Sequence, residues 1–172
     1  MRLSPEEYRR VRAFFEKAVE AEPNRWAYWY DIGFCCGRLG QWREAAAALE
    51  RVADHTEATV ALLSMLGHAY IKLERYHEAM TVLAKAQAQA PSNLNVLYNM
   101  AVVHFHCGDI ALALAPLQEV IRKRPKHVNA QFSLGLICHR LGDRGAALRQ
   151  LAIVRELDQN FADRLDKIIQ GY

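Results

Sequence analysis

Four times along this chain, at an interval of 34 residues, a small residue follows a large apolar one: Ile32-Gly33, Leu66-Gly67, Met100-Ala101 and Leu134-Gly135. Each small residue is followed, twelve positions on, by an alanine (Ala45, Ala79, Ala113, Ala147). Four positions further comes a leucine (Leu49, Leu83, Leu117, Leu151). A fixed period of this length restricts the chain to stacked copies of one supersecondary unit. Within a unit, apolar residues at i, i+3 and i+7 (Leu63, Leu66, Tyr70) mark one face of a helix, and a second helix follows. Gly40, Gly108 and Gly142 fall where the chain must turn tightly between the two. The small residues let the paired backbones approach. No unit buries its apolar face alone, so neighbours must supply the core.

The pattern resembles the tetratricopeptide repeat. The second unit carries it most fully, as Leu63-x2-Leu66-Gly67-x2-Tyr70, Ala79-x3-Leu83 and Pro91, and the first keeps a tryptophan in Trp29-x2-Ile32-Gly33-x2-Cys36, with Trp42 in the later aromatic slot. Departures are His104 and Cys138 where Tyr is usual, Ala101 for Gly, and Glu57 and Gln159 where Pro closes a unit. The resemblance covers roughly residues 24 to 159 and implies an all-α, right-handed superhelical solenoid of four helix pairs. One domain, 1–172, is expected: a leading helix or half repeat over 4–22, repeats over 26–59, 60–93, 94–127 and 128–159, and a closing helix over 160–172. Ser4-Pro5-Glu6-Glu7 reads as a capping box opening the leading helix, whose stripe is Tyr8, Val11, Phe15 and Ala18. Phe161, Leu165, Ile168 and Ile169 are read as the inner face of the closing helix. Pro116, inside a second helix, predicts a kink.

In the family, the first helix of each pair lines a concave face through fixed slots. Carried onto this sequence, the resemblance places Tyr30, Asp31, Phe34 and Arg38 of the first unit in the groove, with Met65, His68, Ile71 and Lys72 of the second. The third unit contributes Tyr98, Asn99, Val102, Phe105 and His106, and the fourth Asn129, Phe132, Leu136, His139 and Arg140. An apolar floor with a mildly basic margin (Arg38, Lys72, Arg140) against the single acid Asp31 suits a binding surface. The first helix of the third unit, Ser92 to Cys107, contains no Asp, Glu, Lys or Arg. The family's carboxylate clamp needs Lys and Asn where this chain has Tyr30 and Phe34, Ser64 and His68, Tyr98 and Val102, or Phe132 and Leu136. Only Asn99 fits, so a clamp-type co-chaperone is not expected.

Other signals weigh less. Cys36, His104 and Cys138 share one slot, but that slot belongs to the core, and a metal needs three or four converging ligands. No metal or other cofactor is expected. The basic run Arg122 to Lys126 sits at a helix C-terminus, where cations complement the helix dipole. A net charge of +3 is too small to imply nucleic acid by itself. No phosphate loop, nucleophile elbow or paired-carboxylate motif occurs, so catalysis is not expected. The 23 residues from Ala86 to Gly108 lack Asp, Glu, Lys and Arg but carry too many Asn and Gln to span a membrane. With four cysteines outside any framework spacing and no apolar leader, a cytoplasmic protein is expected. The leading functional reading is a protein–protein adaptor or scaffold holding a peptide or amphipathic helix in the groove. The alternative is a secretion or assembly chaperone shielding an apolar client segment, and a homo-oligomeric scaffold is a third class.

Overall fold

The first helix starts with the capping chemistry written in the chain. In the computed structural model, which describes residues 3–171, Ser4 and Glu7 form a reciprocal capping box: the Ser4 N–H donates to Glu7 Oε2 at 2.6 Å and the Glu7 N–H to Ser4 Oγ at 3.3 Å. That box opens α1 (Pro5–Ala21). Nine further helices follow among the described residues: α2 (Trp26–Arg38), α3 (Trp42–His55), α4 (Val60–Lys72), α5 (Tyr76–Gln89), α6 (Leu94–Cys107), α7 (Ile110–Lys123), α8 (Val128–Arg140), α9 (Arg144–Leu157) and α10 (Gln159–Gln170). No strand occurs among these residues. Tyr172, the end of the expected closing segment, lies outside them. The chain divides into two compact units, Met1–Pro91 and Ser92–Tyr172.

In the first unit α2 pairs with α3 and α4 with α5, while α1 packs on α2 and α3 on α4. The small slots explain the closeness of each pair. A methyl built on Gly33 would stand 2.7 Å from Leu49 Cγ, and one on Gly67 2.7 Å from Leu83 Cγ. Both leucines are fully buried. The periodic glycine and leucine are therefore two halves of one contact, repeated with the 34-residue period.

In the second unit α6 pairs with α7 and α8 with α9, and α10 lies against both α8 and α9. The small slot of the last pair serves a different partner: a methyl on Gly135 would meet Leu165 of α10 at 2.6 Å. Of the face read for α10, Leu165 and Ile169 are buried, but Ile168 is 39% exposed. The buried centre runs through Ala162, Leu165 and Ile169. At 100° per residue Ile168 lies at the edge of that stripe, which corrects its reading as an inner residue. α7 continues as helix through Pro116.

The turns inside each pair show why glycine recurs. Gly40, Gly108 and Gly142 have φ of 76°, 88° and 77°. The fourth equivalent position is Glu74, at φ 60°, the one non-glycine residue with positive φ among the described residues. A side chain in this left-handed conformation costs about 1–2 kcal/mol. Glu74 is exposed, so nothing is lost by removing its side chain. Glu74→Gly is expected to stabilise the protein by about 1 kcal/mol, raising Tm by about 2–4 °C. A lower Tm in a thermal melt would show the left-handed turn is not strained.

Two polar residues, Asn99 and Gln131, are buried in the second unit. Gln131 is 5% exposed and occupies the slot held by Trp29 in the first repeat. The Trp29 indole Nε1–H donates to the Pro23 carbonyl at 3.2 Å, and the Gln131 amide Nε2–H to the Pro125 carbonyl at 2.8 Å. Two different side chains thus satisfy the same carbonyl, six residues upstream, at the start of the first helix of a pair.

Candidate peptide-binding faces

Each unit carries its own face, built from the first helices of its pairs. In the first unit these are α2 and α4. Phe34 is 42% exposed, Tyr30, Asp31, Met65 and His68 are half-buried, and Arg38 and Lys72 are exposed. Ile71 is only 8% exposed and belongs to the core, which removes it from the expected surface. Burial pushes the Tyr30 hydroxyl and the Asp31 carboxyl above their usual ranges.

The expected basic margin is not a row of free charges. Arg38 lies over the Tyr8 ring at 5.4 Å, and that ring meets Phe34 edge-on at 6.1 Å. One repeat later, Lys72 Nζ lies 6.0 Å from the Trp42 ring centroid, and Trp42 meets His68 edge-on at 5.3 Å. The two clusters are related by the 34-residue shift: an aromatic at the head of the preceding helix, a ring in the groove slot, a cation one turn further along. Tyr8, at 8% exposure part of the core, and the half-buried Trp42 thus back the face from positions that the groove slots alone do not name. Their own 34-residue spacing was the signal available in the sequence.

In the second unit the face comprises α6 and α8. Val102 is half-buried; Tyr98 and Phe105 are half-buried and lean on the core of Leu97, Leu117 and Ile137. Asn95, Asn129, His106, His139 and Arg140 are exposed. Asn99 is buried at 5% exposure, its slot turned into the helix packing. Phe132 is also a correction: at 8% exposure it packs with Leu151, Val154 and Leu165. The cause is α10, whose Phe161 meets Phe132 edge-on at 5.3 Å while Arg164 lies over both rings. Leu136 is half-buried against the same cluster. Arg140 covers the Phe105 ring at 5.2 Å and donates to the Phe105 carbonyl at 3.3 Å, closing the end of α6.

At the other end of this face, Tyr98 hydrogen-bonds with Ser133, and burial raises its hydroxyl above the usual value. Its ring tilts against His127 at 5.2 Å. His127 caps α8: its Nδ1 accepts from the Ala130 N–H at 3.1 Å, which requires the unprotonated nitrogen. Burial lowers its pKa below 6.5. The cap is therefore intact above about pH 6.5 and is lost as pH falls toward the depressed folded value. A His127→Asn variant, capping without titrating, is expected to flatten this part of the stability–pH profile, read from urea melts at pH 7.5 and pH 5. Parallel profiles for the two proteins would remove His127 as the cause.

All four cysteines are free thiols, Cys35 and Cys36 buried, Cys138 half-buried and Cys107 exposed. Burial raises Cys35, Cys36 and Cys138, with the Arg12 guanidinium opposing the rise at Cys36. Among the described residues no group of three His, Cys, Asp or Glu is placed to hold a metal. Nor is any helix there long and apolar enough to cross a membrane.

Comparison with known proteins gives this geometry its family. The tetratricopeptide repeat family model matches residues 64–127 and 98–160, and that of anaphase-promoting complex, cyclosome, subunit 3, matches residues 7–86. This chain belongs to the tetratricopeptide repeat (TPR) family. Curated relatives include anaphase-promoting complex subunit 3 of Schizosaccharomyces pombe, 24% identical over 89% of this chain and 23% of that protein. Cellulose synthase 2 operon protein C of Komagataeibacter xylinus is 28% identical over 92% of the chain and 11% of its own length. The TPR chain thus spans less than a quarter of either. Among solved structures, YrrB, described as a TPR protein with an unusual peptide-binding site, superposes with a TM-score of 0.73 at 22% identity, covering 94% of this chain and 84% of its own. The Thermus thermophilus TPR protein TTC0263 gives 0.75 at 20% identity over 93% and 89%. At such identities the likeness is one of fold. It bears out the all-α TPR solenoid read from the repeat.

Proposed function

We propose that this chain is a non-catalytic TPR adaptor that holds peptide segments of protein partners on the faces of its first helices. TPR proteins mediate protein–protein interactions, and the proposal assigns that role here to particular side chains. The observation that carries it is the solvent-reachable apolar surface in the groove slots: Phe34 at 42% exposure, with Tyr98, Val102 and Phe105 half-buried rather than sealed. An apolar ring left partly wet on a helix otherwise committed to packing gains by being covered. Phe34 already has its edge fixed by Tyr8, so little ordering is needed when a partner covers it.

The test uses peptides recovered by random peptide display on the purified chain. Phe34→Ala and Val102→Ser are then measured against them by fluorescence anisotropy. Truncating an aromatic anchor is expected to weaken peptides held by the first unit by about 2 kcal/mol, some thirtyfold, and Val102→Ser those held by the second by about tenfold. Peptides that bind both variants as tightly as the unaltered protein would place the interaction elsewhere. Recovery of apolar segments with no common pattern would favour the client-shielding reading.

A further inference from the structure

We infer that the α6/α8 face of the second unit takes an extended acidic peptide, with acidic residues at both ends of an apolar middle. This rests on the peptide-binding reading above and names the partner's chemistry.

The first observation is how charge is distributed. Residues 1–91 hold twelve Lys and Arg against twelve Asp and Glu, whereas residues 92–172 hold ten against seven, so the whole net charge of +3 belongs to the second unit. Within it, α6 and α8 carry no acid, and between residues 92 and 142 only Asp109 and Glu119 are acidic. Only Glu119 is held by a cation; Asp109 is an exposed acid in the turn after α6. Glu119 accepts from Arg122 at 2.7 and 2.8 Å, and Asp109 stands 3.8 Å from His104 Nδ1.

The second observation is where the remaining cations stand. Arg124 and Lys126 are exposed, have no carboxylate partner among the described residues, and line an open depression with Pro125 and His127. Arg124 Nη1 reaches Asn95 Oδ1 at 3.5 Å, and His127 touches Tyr98, so this depression adjoins the beginning of α6. Arg140, on the Phe105 ring, marks the other end of α6. A helix of 14 residues is about 21 Å long, the reach of about six extended residues. Between the cationic ends lie Tyr98, Val102 and Phe105, flanked by exposed Asn95 and Asn129, whose amides suit a peptide backbone. A basic segment would meet cations at both ends and no acid between. An acidic one meets a partner at each end.

The experiment uses the full chain and two labelled eight-residue probes, one with two glutamates at each end of a leucine, phenylalanine, valine, leucine centre, the other with lysines in place of the glutamates. The glutamate peptide is expected to bind about tenfold more tightly, and to weaken as salt rises from about 50 to about 500 mM. Arg124→Glu combined with Lys126→Glu should weaken it about tenfold. Arg144→Glu with Lys167→Glu, an equal change of charge placed on α9 and α10 instead, should not. Equal affinity for both peptides, or equal loss from the two double variants, overturns the acidic assignment and leaves peptide binding standing. If neither peptide binds, both readings fall for this face. If a ten-residue oligouridine displaces the glutamate peptide from the same residues with higher affinity, the face belongs to nucleic acid and the inference is wrong.

Discussion

Leu83→Ala is expected to cost about 2–5 kcal/mol, and a methyl added at Gly67 to return part of that loss. Leu83 is fully buried, and its Cγ stands where the Gly67 side chain would begin, at 2.7 Å from an ideal Cβ. Gly67→Ala alone meets two opposed effects. Helix propensity gains about 1 kcal/mol, while overpacking a closed contact costs about 1–3 kcal/mol. Overpacking wins because the obstructing atoms are Leu83 Cγ and Cδ2, held in the core rather than at the end of a free side chain. A net loss of about 1 kcal/mol follows for the single variant. With Leu83 shortened, the same methyl enters the vacated space, so the double variant should be more stable than the sum of the two losses by at least about 1 kcal/mol. Urea denaturation of the four proteins measures this, and losses that simply add would mean the glycine is not kept for the leucine.

Phe132→Ala and Phe34→Ala, substitutions of one residue type in groove slots of two different repeats, should differ sharply. Phe132 loses a buried ring, its edge contact with Phe161 and the Arg164 guanidinium above it, and about 3–5 kcal/mol is expected. Phe34 is 42% exposed and touches Tyr8 at one edge, so its truncation should cost no more than about 1 kcal/mol of stability and act on binding instead. Thermal melts decide between these outcomes. A Phe132→Ala protein melting within about 2 °C of the unaltered chain would show that α10 does not hold that ring in the core.

The repeat itself was legible without coordinates. Gly33 with Leu49 and Gly67 with Leu83 recur at fixed spacing because each pair is a local contact between consecutive helices, and Gly40, Gly108 and Gly142 recur because a short turn demands a left-handed backbone. The capping box of α1 is equally local. Such features depend on neighbours a few residues away or one helix away, so they leave a period in the sequence. Glu74 escaped because the same backbone demand is met by a residue that does not advertise it.

What the sequence could not assign is which groove slots stay open. Phe34 and Phe132 are one residue type in groove slots, yet Phe34 stays 42% exposed beside Tyr8, while Phe132 is enclosed by the α10 residues Phe161, Leu165 and Arg164. Likewise Arg38 and Lys72 are basic in any reading, yet only the packed structure shows each resting on the aromatic that heads the preceding helix. The chain by itself determined its helices, its pairs and its family, because these follow from short-range periodicity and backbone chemistry. Tertiary packing alone decided which rings became core and which remained surface, because burial is set by elements brought together from distant parts of the chain.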